Sequence, residues 1–213
     1  MSINIYHGSD HIITEPVFGG GRLHNDYGRG FYCTEDRELA MEWAVDVGRD
    51  GFVNCYTIND ESLDILRLND GDFTALHWLE LLLSNRTFDI TTPLAREAVR
   101  YLHANFHVDC SEKDIIIGYR ADDSYFSYAQ DFINNVISIS QLTKALRLGD
   151  LGLQYVLKSE RAFEHLKYIK SDLVLAREWY PVKKLRDSKV RREYYSFDRM
   201  AYVRNDIYIK AAR

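Results

Sequence analysis

The stretch "DYGRGFYCTEDRELAMEW" runs from Asp26 to Trp43 and packs three kinds of local signal into eighteen residues. Gly28 and Gly30 allow the tight turns and close backbone approach that other residues resist. "FYC" at Phe31–Cys33 reads as a brief strand. Thr34 is then placed to cap a helix, with Glu35 and Asp36 in the first turn, where the helix dipole favours acids. Leu39, Ala40, Trp43, Ala44 and Val47 recur at helical spacing. The stretch therefore predicts turn, strand and helix in succession. It closes a glycine-rich loop, "VFGGGRLHNDYGRG" (17–30), which is not a phosphate-binding P-loop because no Gly-Lys-Ser/Thr follows.

On the N-terminal side, "SINIYHG" reads as a strand ending near Gly8; on the C-terminal side, "FVNCYTI" is a second. The middle of the chain is predicted helical. "DFTALHWLELLLSN" and "TPLAREAVRYLHANF" are helices, with Pro93 acceptable in a first turn. "DIIIGYRA" is a continuous apolar strand, and "DDSYFSYAQDFINN" and "SISQLTKALRLG" are further helices. Ser138 and Gln141 fit a capping box, and Gly149 fits the stop. "LGLQYVLKS" is a strand with Leu153, Tyr155 and Leu157 on one face and Gln154 and Val156 on the other. "DLVLAREWY" reads as one more strand. This irregular order argues an α+β fold rather than a repeating βαβ one.

The totals set bounds. With 213 residues, 46% hydrophobic and 28% charged, the chain can bury a substantial core in one domain. Cys33, Cys55 and Cys110 are scattered, which argues against a disulfide framework or zinc site and for a reducing cytoplasm. No basic-then-apolar leader opens the sequence, and the longest apolar stretch, around "LHWLELLLS", is too short to span a bilayer. His24, His77, His103, His107 and His165 show no metal-ligand spacing, so no metal site is expected. The net charge of −5 is uneven: residues 183–213 carry +6 and residues 1–182 carry −11. The sequence thus divides into a body, 1–182, and a basic, helical extension, 183–213. Such an extension reads either as a contact for an anionic partner or as a solvated helix face closing the domain.

Taken together, "IYHGS" and "GRGFYCTED" resemble the ADP-ribosyltransferase superfamily, in its diphtheria-toxin-like and poly(ADP-ribose)-polymerase-like branch. That branch carries a His-Tyr-Glu triad on three segments. Tyr6, His7, Gly8 and Ser9 match the first; Gly28, Gly30, Phe31 and Tyr32 match the second; Trp43 stands eleven residues on, where the branch has a second aromatic. The third matches "LQYVLKSERAFEHLKY", where Gln154 occupies the place of the catalytic glutamate. With "GYRADDSYFSYAQDF" and "QYVLKSERAF" added, the sequence from about residue 3 to 170 is also similar to a bacterial family known only as a domain of unknown function, DUF3990.

The resemblance implies a core of two small, mostly antiparallel sheets around an NAD cleft, with NAD as co-substrate. It assigns catalysis to His7, Tyr32 and Gln154. Breaking the nicotinamide–ribose bond leaves a sugar cation, as in glycoside hydrolysis, and an amide cannot neutralise it. Glu160, Asp122, Asp123 and Asp131 are the candidate replacement acids. For NAD itself the resemblance implies His7 on the adenosine ribose, with Gly8 and Ser9 beside it. Tyr32 and Trp43 can sandwich the nicotinamide by stacking. The Gly8 backbone can meet the carboxamide, Gly30 shapes the loop, and Arg22 or Arg29 can reach the pyrophosphate. Each of these residues also has a plain reading. His7 can end a strand, Tyr32 and Trp43 can be core aromatics, the glycines can be turns, and Gln154 can be an ordinary strand residue.

The expected function is a mono-ADP-ribosyltransferase acting on a macromolecular target, protein or nucleic acid. Such domains often serve as toxins, effectors or defence proteins, so the resemblance implies an antitoxin-like partner; no membrane partner is expected, because no stretch is long and apolar enough to span a bilayer. The alternatives are an NAD glycohydrolase, or an NAD- or ADP-ribose-binding module left by the exchange at Gln154.

Overall fold

In the computed structural model the described residues are 2–71, 73–120, 123–146, 148 and 152–196. Strand β1 (Ser2–Ser9) is followed by β2 (Phe31–Cys33), helix α1 (Arg37–Ala44), β3 (Gly51–Asn59) and β4 (Ile65–Arg67). Helices α2 (Ala75–Asn85) and α3 (Pro93–Asn105), β5 (Ile115–Tyr119), and helices α4 (Asp123–Ile133) and α5 (Ile139–Ala145) form the middle. The chain returns through β6 (Leu153–Leu157), the short α6 (Glu160–Glu164), β7 (Leu166–Val174) and α7 (Ala176–Tyr195). The order is α+β, with two sheets: β1-β3-β7, antiparallel throughout, and β2-β6-β5-β4, antiparallel except for the β4–β5 pair.

The period-2 alternation explains how the sheets stack. Ile5, Tyr56 and Ile58 from the first sheet meet Cys33, Ile115, Ile117, Tyr155 and Leu157 from the second. The other face of the second sheet, carrying Ile116 and Val156, packs under α2–α5. Strand β5 is therefore buried on both sides, which accounts for its unbroken apolar run. Each of its three isoleucines is worth about 1.5–3 kcal/mol of burial. Helix α1 covers the opposite face of the first sheet through Ala40, Ala44 and Val53.

Several sequence expectations need correction. The cap of α1 is Asp36, whose carboxylate accepts from the backbone N–H of Glu38 and Leu39. Thr34 instead joins the two sheets, as an isolated bridge to Tyr6. Helix α1 stops at Ala44, because the chain turns back at Asp46–Arg49 with Gly48 at φ 63°, and Val47 is left 72% exposed. "DLVLAREWY" is strand only to Val174; from Ala176 it is helix, with Pro181 in the second turn. Strand β4, helix α6 and the first half of β7 form without a strong periodic signal in the sequence. The capping boxes behave as expected at Ser138, and one forms at Thr74 with His77 as its third residue. Gly149 lies outside the described residues. Helix α7 passes through position 183 without interruption. No helix among the described residues is long and apolar enough to cross a membrane.

Candidate functional site

An open cleft of approximately 1020 Å³ lies where β1, the glycine-rich loop, α1 and α7 converge. Eight of the sequence-predicted residues line it: His7, Gly8, Ser9, Arg22, Gly30, Tyr32, Trp43 and Gln154. Its size suits a ligand at or above the upper end of ordinary small-molecule pockets.

His7 is fixed by a hydrogen bond from its Nδ1 to the Tyr32 carbonyl, 2.6 Å away, and by the Phe31 ring at 4.5 Å. A carbonyl only accepts, so Nδ1 carries the proton and Nε2 of the neutral ring is an acceptor. Burial pushes the His7 pKa below its ordinary value; the bond to Tyr32 opposes this and nearby His11 reinforces it. Two residues back along β1 from Gly8, Tyr6 spends both its N–H and its C=O on Thr34, at 2.7 and 2.9 Å. Alternate residues of an antiparallel strand turn their polar groups to the same edge, so Gly8 presents its own N–H and C=O beside the cleft. The missing side chain serves packing: a Cβ on Gly8 would lie 2.0 Å from the Ala40 carbonyl oxygen. Gly8 thus admits the close approach of α1. Ser9 is held by Asn54, a fully buried residue of β3 whose amide donates to Ser9 Oγ at 2.9 Å and whose Oδ1 accepts from Ile13 and Ser171.

The Tyr32 hydroxyl is occupied locally. It donates to the Gly28 carbonyl at 2.6 Å and accepts from the Tyr27 N–H at 3.0 Å, and its burial drives its pKa upward. Gly28 sits at φ 73°, so the loop needs a glycine there. The same loop is clamped by Lys158, the residue after β6, whose Nζ donates to the carbonyls of Tyr27 and Arg29, each at 2.7 Å. What Tyr32 offers the cleft is its ring. Trp43 lines the cleft with the Arg120 guanidinium 4.7 Å from its ring centre.

Gln154 is 4% exposed and donates through Nε2 to Asp26 Oδ2 at 3.1 Å. Asp26 is equally buried, at 5%, and its Oδ1 accepts from Arg86 at 3.0 Å. All three line the cleft. The other candidate acids lie elsewhere. Glu160 is exposed on the first turn of α6, outside the cleft, and Arg29 is exposed beside the loop clamp. Asp131 accepts from the Tyr194 hydroxyl at 2.5 Å, tying α4 to α7. Asp122 and the side chain of Asp123 lie outside the described residues. Among the described residues, no group of three His, Cys, Asp or Glu could hold a metal ion.

The remaining wall is α7. Lys183, Lys184, Arg186 and Arg191 all face the cleft, and the lining as a whole holds seven Lys/Arg against four Asp/Glu, in a chain of net charge −5. Arg186 pairs with buried Glu42 of α1 at 2.7 Å, and Lys183 donates to the Val45 carbonyl at 2.9 Å. Burial raises the Glu42 pKa, against the pull of Arg186 and Arg120. Two donors at the cleft, Trp43 Nε1 and Arg186 Nη1, are buried without a hydrogen-bond partner among the described residues.

Sequence reasoning missed Asp26, Arg86, Arg120, Glu42 and the placement of α7. Asp26 was visible inside the leading motif, but nothing local marks it as a neighbour of Gln154, 128 residues away. The basic composition of α7 was read, whereas its contact with the cleft is purely tertiary. No curated protein and no solved structure matches the chain. A family model does match, across residues 3–168, so the match takes in β1, the glycine-rich loop and β6 and ends before α7. By that match the chain belongs to the family described as protein of unknown function (DUF3990).

Proposed function

We propose that the protein is a mono-ADP-ribosyltransferase that binds NAD in this cleft and transfers ADP-ribose to a macromolecular target. The observation that carries the reading is convergence: His7, Gly8, Tyr32, Trp43 and Gln154 come from separate segments and line one cation-rich cleft. The chemistry of NAD fits those groups. Nε2 of neutral His7 accepts from a ribose hydroxyl. The edge of Gly8 offers a donor and an acceptor to a carboxamide, which has both. The Tyr32 ring supports the nicotinamide, and Trp43 completes the stack once Arg120 yields the indole face to the pyridinium, since both are cations drawn to the same π surface. Arg22 and the α7 cations suit a pyrophosphate, and the unpartnered Arg186 Nη1 is a ready donor to it.

Incubation with NAD labelled in the adenylate half, together with a bacterial extract, tests the reading. Label is expected on a protein or nucleic-acid fraction, with nicotinamide released in equal amount, and Tyr32→Ala should abolish both. Nicotinamide release with only free ADP-ribose would make the protein a glycohydrolase. One observation favours a third reading, an NAD-binding module: the amide of Gln154 carries no charge for the sugar cation. Binding without nicotinamide release would establish that reading and overturn the transferase.

A further inference from the structure

We infer that Asp26 is the catalytic carboxylate of this cleft, standing in for the acid that Gln154 does not supply. The inference rests on the NAD reading above. Its warrant is geometric. Asp26 and Gln154 are both buried, both line the cleft, and are joined directly, Nε2 to Oδ2 at 3.1 Å, whereas Glu42, the other buried acid of the lining, is paired with Arg186 of α7. Because the amide spends its N–H on Asp26, its Oε1 has no partner among the described residues and serves as an acceptor for a ribose hydroxyl. A carboxylate buried to this degree is tolerated in ionised form only when paired, and Arg86, at 3.0 Å from Oδ1, provides the pairing. The arrangement splits between two residues what one glutamate does elsewhere: Gln154 orients the sugar and Asp26 holds the negative charge.

The step balances with these groups alone. The bond between C1′ of the ribose and the nicotinamide nitrogen breaks heterolytically, and its electron pair leaves with the nitrogen, neutralising the pyridinium. The developing positive charge on the sugar faces the Asp26 carboxylate. A hydroxyl or amine of the target, or water, then forms the new bond to C1′ and passes its proton to Asp26, which returns it to solvent. Arg86 acts as a positioning residue, holding the Asp26 carboxylate in place between turnovers.

The test uses the full chain, NAD and two readouts: NAD binding by calorimetry and nicotinamide release. Asp26→Asn, which keeps the shape and an acceptor for Gln154, is expected to bind NAD within about threefold of the parent and to lose nicotinamide release by about 100-fold or more. In the double variant Asp26→Asn/Gln154→Glu, a carboxylate moves across the 3.1 Å contact and release should recover at least tenfold. A purely structural role for Asp26 predicts that NAD binding falls together with release in Asp26→Asn; Asp26→Glu, which keeps the charge, is expected to retain release within about tenfold and decides the matter if Asp26→Asn alone folds poorly. Release within threefold of the parent in Asp26→Asn overturns the role of Asp26 while leaving the NAD reading intact. Failure of the parent chain to bind NAD overturns both.

Discussion

The smallest scale at which this cleft is built is the single ring of His7. Its Nδ1 proton is committed to the Tyr32 carbonyl, and burial lowers its pKa. The folded state therefore prefers neutral His7, while the unfolded chain takes up a proton near the ordinary value of 6.5. As pH falls through 6.5 the unfolded state gains protons that the folded state refuses, so stability drops until the folded pKa is reached; it recovers as pH rises again. Melting temperature measured between pH 5 and 7.5 is expected to slope upward, and His7→Gln should flatten part of that slope. His77, also lowered by burial, retains its own share. An unchanged slope in His7→Gln would mean that the ring is not held as described.

The decisive element is α7. Its first turns cover the edge of α1, its Arg186–Glu42 pair closes the joint, and its cations form one wall of the cleft. Most of those cations already have protein contacts, so they are held in place before any ligand arrives, and pre-placed donors bind anions with less ordering cost. Lys184→Glu/Arg191→Glu is expected to weaken NAD binding about tenfold at low salt, with the deficit shrinking as salt screens the added charges. Titration calorimetry at two ionic strengths measures it. Equal affinities at both would place the pyrophosphate away from α7. The exchange leaves Arg186–Glu42 in place, which matters because removing Arg186 would strand a buried carboxylate.

At the scale of the whole molecule, the cleft is a junction between two sheets and two helices, and a ligand seated there bridges all of them. Anything that binds the folded chain alone stabilises it; at about 100 times its dissociation constant the gain is about 2.7 kcal/mol. For a chain of this size that corresponds to roughly 5–10 °C in melting temperature. Millimolar NAD should produce such a shift in the parent chain, read by differential scanning fluorimetry. NADH, whose dihydronicotinamide has lost the positive charge, should produce less. An absent shift with NAD would remove the NAD reading altogether.

What could be read from the sequence alone was local. The period-2 pattern of Leu153–Leu157 announced which face of β6 carries Gln154; α2 was legible as a helical stretch, α3 as one with Pro93 in its first turn, and α5 by its Ser138–Gln141 capping box, because each depends on residues a few positions apart. Where local cues competed, the reading slipped: Thr34 and Asp36 are both good caps, and only the bridge to Tyr6 removes Thr34 from the choice. The motif residues His7, Tyr32 and Trp43 could be singled out, but not the reason Gly8 must be glycine, which is the backbone of α1 packed against it. The pairing of Asp26 with Gln154 and the arrival of α7 at the cleft belonged to the tertiary structure. Both join residues more than a hundred positions apart, or elements with no shared local pattern, and such meetings are settled only when burial of the two sheets and their helices brings the chain back on itself.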